Sequence, residues 1–468
     1  MQGPNSRFIP SFPALLSCRL CWGAGLGQAA VNAVDRPRAC GLTIGAAVGA
    51  DGGIAMAGPL DGIRILDMTN VGYGPVACQI LGDYGADVIK VESKDGDITR
   101  GIAPYRNKGM GHFFVMANRN KRCLVLDLKD ERGREALLRL VETADVVISS
   151  IRPAAMERMG LSHEHCRAVN SRIIYVALVG FGQDGPYAKR PAYDDIIQGV
   201  SGMAAMQGGR NGPPAFVNAS VCDKICSQVA AHATMAALFA RERTGEGQRV
   251  EVPMFEAMVG FNLVEHHSGQ AFDPPLGPAG YERSMVAYRR PYETVDGYVC
   301  ALPYNTKQWR AFFSLMGRPD MLHDPRVIDA KIRSEKIGEL YEMVSELVRD
   351  WKTADLLVAL EKADVPHGEA IALGDLEENQ HLREVGFFQL HDHPSEGHVK
   401  LTAPPMKFSE TPLEIRKLPA LLGEHSVEVL LEAGYSDAEI SCLVAEGVTL
   451  DGRLDQDSLM VSGSSRGT

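Results

Sequence analysis

From Gly58 onward, short apolar runs alternate with segments of helical period. RILDM (64–68), DVIKVE (87–92), RCLVLDL (122–128), DVVISS (145–150) and RIIYVALVGF (172–181) read as strands. Their near-continuous apolar character is that of strands covered on both faces. Between them, GPVACQILGDYG reads as a helix, and so does Asp130 to Ala144, which places Ala136, Leu137, Leu140 and Val141 on one face and its charges on the other. Strand and helix in alternation predict an α/β fold, with a Rossmann-like large domain built on a parallel sheet. Further along, the pattern predicts a helix from Asp195 to Met206, a loop GGRNGPPAF, a short strand VNASV and a long helix from Asp223 to Arg243.

The character changes at SGQAFDPPLGPAG (268–280), where Gly and Pro break all periodicity. GYVCALPY then reads as a strand, and QWRAFFSLMG, SEKIGELYEMVSELVRDW and TADLLVALEKA as helices with apolar residues at i, i+3 and i+4. This predicts a large domain over residues 56–268 and a smaller α+β domain over 269–390. Residues 391–455, ending in the helices EHSVEVLLEAG and SDAEISCLVAEG, are expected to return to the large domain.

Residues 1–55 differ from the rest, being rich in Gly, Ala, Arg and Pro with little amphipathic period, and Met56 follows them. The reading favoured here is an upstream-translated, mostly disordered extension, with Met56 as the natural start. FPALLSC suggests a lipoprotein site at Cys18 or a signal peptide, but its apolar run is short and broken by Pro10 and Pro13. The Ser- and Gly-rich residues 456–468 are an expected disordered tail.

A chain of 468 residues with formal charge −11 lacks the basic face that a nucleic acid or anionic membrane surface rewards. No apolar run is long enough for a membrane span. Ten cysteines are scattered, with a C-x-x-C pair only at Cys18 and Cys21, so neither a disulfide framework nor a zinc site is indicated and a reducing cytoplasm is expected.

The chemistry begins at Val71, Gly72, Tyr73 and Gly74, between a strand and a helix. With Ala77 the glycines fit the loose G-x-G-x-x-A pattern, and Glu92 stands where a ribose-binding acid would close an NAD site. Yet Pro75 removes an amide that would face a pyrophosphate, and nothing after Glu92 supports a nicotinamide half. The glycines either admit an anion at a helix N-terminus or let strand and helix pack closely.

PLDGIRILDMT, GDYGADVIKVE, the stretch ANRNKRCLVLDL through MERMGL, YVALVGFGQDGPYAKRPAYDDIIQGVSGM, RERTGEGQRVEVPMFEAM and LLGEHSVEVLLEAGYS occur in order from about Gly58 to Gly447. Together they resemble the class III CoA-transferase family, which includes formyl-CoA and carnitine CoA-transferases and the α-methylacyl-CoA racemases. The resemblance implies acyl-CoA and carboxylic acid substrates, no permanently bound cofactor, no metal, and a homodimer whose chains interlock. It also implies that coenzyme A borders Val71–Gly74, with its nucleotide end along Asn118–Arg122 and Ser150–Arg158, so Ser150, Ile151 and Arg158 are candidate contacts.

The family's nucleophile falls on Asp223. From the residues alone, Asp223 ends an apolar strand and opens a helix, a position aspartate often fills as a cap. The two roles are compatible, because helix-start amides and the dipole favour an ionised carboxylate. Thirty residues earlier, where the racemases carry histidine, stands Tyr193, a poor base at neutral pH, as in the formyl-CoA transferases. Tyr193 is thus a candidate CoA contact or a ring packed on the cleft, and its neighbours Asp194 and Asp195 read as a cap and a surface charge. Racemization and non-catalytic CoA binding are the alternatives to CoA transfer. Ser93 and Gly72 replace an arginine and a glutamine of formyl-CoA transferase, and its glycine-rich lid is missing, so formate and oxalate are not the expected acids. A succinyl-type or branched acid is. Cys222 and Cys226, beside Asp223, are either packed thiols or acyl carriers.

Overall fold

The computed structural model describes residues 58–453. The expectations for residues 1–55, for Met56 as a start and for the tail from Gln456 lie outside the described residues.

Six strands form one parallel sheet: β1 (Arg64–Met68), β2 (Asp87–Glu92), β3 (Lys121–Val125), β4 (Val146–Ser149), β5 (Ile174–Val179) and β6 (Arg249–Pro253). Their order is β3-β2-β1-β4-β5-β6, and the α/β fold with a parallel sheet is as expected. Every residue of β3, β4 and β5 is buried, which accounts for the apolar runs of β4 and β5, while β3 buries Lys121 and Arg122 as well. Successive side chains alternate between the two faces. Ile65, Val88, Val146 and Ile174 pack on one side with the helices Tyr73–Asp83 and Val221–Thr244. Leu66, Ile89, Leu124 and Val147 pack on the other with the helix Glu131–Thr143. Val429, Leu430, Ile440 and Leu443, from the helices Ser426–Glu432 and Asp437–Ala445, complete that second core.

A third core gathers Trp309, Phe312, Phe313, Tyr341 and Leu356. It lies with the antiparallel strands β7 (Tyr292–Glu293), β8 (Tyr298–Ala301) and β9 (His367–Glu369). A hairpin of β10 (Phe388–His393) and β11 (Gly397–Thr402) precedes the C-terminal helices.

Three expectations are corrected. The helix expected over Asp195–Met206 is two helices, Asp194–Val200 and Met203–Gln207, separated at Gly202, whose φ of 85° cannot continue a helix. VNASV forms no strand; the buried amide of Gln198 accepts from Val217 N–H at 2.8 Å and donates to the Ala219 carbonyl at 3.1 Å, holding an irregular loop. The long helix begins at Val221, two residues before Asp223. The sequence pattern also passed over β6, an edge strand whose RVEVP alternates charge with valine and so lacks an apolar run.

Candidate active site at the switch point of the sheet

Strand order reverses between β1 and β4, so the connections leaving their carboxyl ends diverge and open a crevice. The connection after β1 is the turn that carries Val71 to Gly74. Val71 has φ 70°, a left-handed conformation that costs a β-branched residue about 1–3 kcal/mol. Its N–H donates to Asp97 Oδ1 at 3.2 Å. The connection after β4 meets this turn: Asn70 N–H donates to Ser150 Oγ at 3.3 Å, and Ile151 N–H to Ser149 Oγ at 3.1 Å. Val71, Gly72, Ser150 and Ile151 thereby share one rim.

Tyr73 and Gly74 open the helix Tyr73–Asp83. The Tyr73 ring lies in the core, its hydroxyl donating to the Val252 carbonyl at 2.9 Å, so that only its main chain can serve a ligand. Gly74 is demanded by packing, since a Cβ there would fall 2.2 Å from Thr69 Cβ. At Gly72 the space is taken by the candidate nucleophile itself: a Cβ would lie 2.5 Å from Asp223 Oδ2.

Asp223 is the third residue of its helix, not the cap; Ser220 precedes the helix. Its N–H donates to Asp194 Oδ1 at 2.8 Å, and Asp194 Oδ2 accepts from Gln198 Nε2 at 2.6 Å. Asp194 is buried, whereas the reading of Asp195 as a surface charge agrees with its exposure. Among the described residues the Asp223 carboxylate has no ion-pair partner. Burial, reinforced by the negative Asp194, raises its pKa from 3.8 to about 6. The helix start was expected to favour the charge; desolvation outweighs it. The group remains mostly ionised at neutral pH and is a more basic nucleophile than an exposed carboxylate.

The remaining candidates divide. Tyr193 is 71% exposed and immediately precedes Asp194. Arg158 is exposed at the end of the helix Pro153–Arg158. Asn118–Arg122, by contrast, is buried: Arg119 pairs with Asp83 at 2.7 Å, Lys121 with Asp67 at 2.8 Å and Arg122 with Asp87 at 2.6 Å. Those charges are consumed within the fold and are not presented to a nucleotide. Cys222 and Cys226 are buried, and burial pushes both thiols up to about 12, which removes them as acyl carriers.

Beyond Ser149 and Ile151 lies a cleft of about 250 Å³, lined also by Met156, His163, Tyr175 and Arg249. The buried Nε2 of His163 has no hydrogen-bond partner among the described residues. His163 is not singled out by the sequence, and Asp194 reads there as a cap, whereas it is the first residue of its helix and its carboxylate meets Asp223 instead. A carboxylate beside a helix start is an ordinary sight there, and only the fold reveals that Asp194 meets Asp223.

The family model for CoA-transferase family III matches residues 60–426. The chain belongs to CoA-transferase family III. Formyl-CoA:oxalate CoA-transferase of Streptomyces coelicolor is 32% identical over 409 residues, spanning 83% of this chain and 98% of that protein. An acyl-CoA transferase of Fusarium pseudograminearum is 32% identical over 406 residues, spanning 84% and 88%. Among solved structures, a CaiB/BaiF family protein from Brucella suis superimposes with a TM-score of 0.69 at 30% identity, covering 81% of this chain and 100% of that one. As a family III CoA-transferase the protein is an enzyme acting on CoA thioesters and carboxylates. Among the described residues no helix is long and apolar enough to cross a membrane.

Proposed function

We propose that the enzyme transfers CoA from an acyl-CoA donor to a carboxylic acid acceptor, with Asp223 as its covalent nucleophile. The observation that carries this reading is the Asp223 carboxylate itself: without an ion-pair partner among the described residues, mostly buried, its pKa raised to about 6, and seated against Gly72 at the switch-point crevice.

Asp223 attacks the thioester carbonyl, the C–S bond breaks, and the CoA thiolate leaves behind an aspartyl-acyl anhydride. The thiolate attacks the aspartyl carbonyl of that anhydride, releasing the donor acid as carboxylate and forming an aspartyl-CoA thioester. The acceptor carboxylate attacks this thioester, expels the thiolate and forms a second anhydride. The thiolate takes the new acyl group and returns Asp223 as carboxylate. Charge and atoms balance in each half-reaction without water. Each tetrahedral intermediate needs donors for its oxyanion, a role assigned in this reading to the N–H groups of Tyr73 and Gly74, which follow Gly72 in the chain.

In this reading coenzyme A runs along the rim of Val71, Gly72, Ser150 and Ile151. Its nucleotide end reaches the cleft of His163 and Arg249, with a phosphate meeting Arg158 and Tyr193 closing the near side. The formyl-CoA and oxalate named for the Streptomyces enzyme are not carried over: Gly72 presents no side chain to grip a small acid. A succinyl-type donor is proposed in their place. The enzyme acts as a homodimer, a reading supported by exposed Phe239, Phe261 and Val264 on two helices that touch, Val221–Thr244 and Met254–His266.

The test is a two-substrate assay with succinyl-CoA and a panel of carboxylic acids, following new thioesters by chromatography. Formation of a new acyl-CoA with parallel-line double-displacement kinetics supports the proposal. Deuterium exchange at the α-carbon without any transfer would overturn it in favour of racemization.

A further inference from the structure

Beneath the turn lie four buried charges that the chemistry above does not use: Asp67, Lys90, Asp97 and Lys121, none more than 2% exposed. Their hydrogen bonds converge on the main chain of the turn. Lys90 Nζ donates to the Thr69 carbonyl at 2.8 Å and to Asp97 Oδ2 at 2.9 Å. Lys121 Nζ donates to the Pro75 carbonyl at 2.8 Å, to Asp67 Oδ2 at 2.8 Å and to Asn118 Oδ1 at 2.9 Å, which uses all three of its protons. Asp97 Oδ1 accepts from Val71 N–H at 3.2 Å and from the amide and hydroxyl of Thr99 at 3.0 and 2.8 Å. One ammonium thus holds the carbonyl that enters the turn, another the carbonyl six residues on, and a carboxylate holds the amide between them.

We propose that Lys90, Asp97 and Lys121 are positioning residues, which lock the Thr69–Pro75 turn so that Val71 keeps its left-handed backbone and Gly72 stays against Asp223. None of the three is placed against Asp223; each acts through the turn. Buried ion pairs contribute little net stability, because desolvation offsets their attraction, and apolar replacements of similar volume are often tolerated. Stability alone is therefore a weak reason for four charges at this place, and geometry supplies a better one. A positive φ at a valine persists only where its surroundings over-determine it. Here three charged side chains grip three main-chain groups within seven residues.

The inference rests on Asp223 being the nucleophile, so its test includes a readout that needs no turnover. In the full chain, Asp97→Asn retains an oxygen for Val71 N–H but removes the carboxylate charge to which Lys90 Nζ is hydrogen-bonded, and Lys90→Met removes the grip on Thr69. Each is expected to raise amide hydrogen exchange in the peptide spanning residues 69–74 about tenfold or more, while exchange in β1 and β4 stays unchanged. Each is also expected to lower kcat about tenfold or more, with KM for the acyl-CoA within about threefold. Val71→Gly makes the left-handed backbone free of side-chain strain. The kcat loss caused by Asp97→Asn, measured against its own parent, should therefore shrink about threefold or more in that background. Thr99→Val, which removes a donor from Asp97 without unpairing a charge, should raise exchange in the same peptide to a smaller extent and serves where the charge variants do not fold. Unchanged exchange across residues 69–74 in every folded variant, or an equal loss in both backgrounds, overturns the proposal. Absence of transfer by the wild type would count against the chemistry and leave the exchange result to decide the positioning role.

Discussion

The carboxylate of Asp223 occupies the space that a side chain at Gly72 would fill, with Oδ2 only 2.5 Å from where a Cβ would stand. The glycine is thus required by the nucleophile as much as by the turn. Gly72→Ala should displace Asp223 and lower kcat about a hundredfold, the loss expected for an ångström-scale misplacement of a reacting group. The melting temperature should change little, because the alanine borders a crevice. Steady-state kinetics and a thermal melt on the same preparation check this.

Asp223 must be ionised to attack, so kcat/KM for the acyl-CoA should fall on the acid side with a midpoint near pH 6. Asp194 contributes to the raised pKa, and Asp194→Asn keeps an oxygen for the Asp223 amide while removing the charge. In that variant the acid limb should move to lower pH. A limb that stays in place would show that burial alone sets the value.

The same shift bears on stability. A carboxyl whose folded pKa of about 6 exceeds its unfolded value of 3.8 binds more protons when folded, so its ionisation destabilises the native state as pH rises through that window. Asp223→Asn should accordingly be more stable than the wild type at pH 7.5, by on the order of 2 kcal/mol, with the difference shrinking toward pH 4. Denaturant titrations at several pH values measure it.

The sheet was legible because its strands are buried on both faces, and unbroken runs such as IYVALV leave few other readings. The edge strand β6 was not, since an edge strand needs no such run. Asp223 was reached through resemblance, not pattern, and its environment was misjudged. A helix start suggests a favoured charge, whereas the packing of Asp194 and the walls around it raises the pKa, and burial is not written in local sequence. The cradle beneath the turn did leave a trace. Asp67 and Lys90 interrupt the apolar middle of their strands and lie across from each other in the β1–β2 register, Lys90 then pairing with Asp97 and Asp67 with Lys121. The Asn118–Arg122 stretch shows the converse: the family resemblance implies a nucleotide contact there, and the fold supplies Asp67, Asp83 and Asp87 to absorb its cations.

Arg158 stands exposed at the far end of the helix Pro153–Arg158, which follows Ile151 in the chain. If it meets a CoA phosphate, Arg158→Ala should raise KM for the acyl-CoA about tenfold, as expected for loss of a charge-assisted contact, and leave kcat nearly unchanged. The wild-type KM should rise with salt more steeply than that of the variant. Titrating both enzymes with potassium chloride checks the point.

Val264 is 89% exposed, with Phe261 one helical turn before it. Val264→Asp should convert a dimer into a species of half the mass in light scattering, without loss of helical signal. A monomeric wild type would contradict the assembly proposed here.

The most direct test of the central claim is covalent trapping. The enzyme is incubated with succinyl-CoA and other acyl-CoAs, quenched with hydroxylamine, digested and analysed by mass spectrometry. An Asp223 hydroxamate that forms only with a donor and vanishes in Asp223→Asn is the predicted result. CoA transfer that proceeds with the Asp223 peptide unmodified, or that survives in Asp223→Asn, would contradict it.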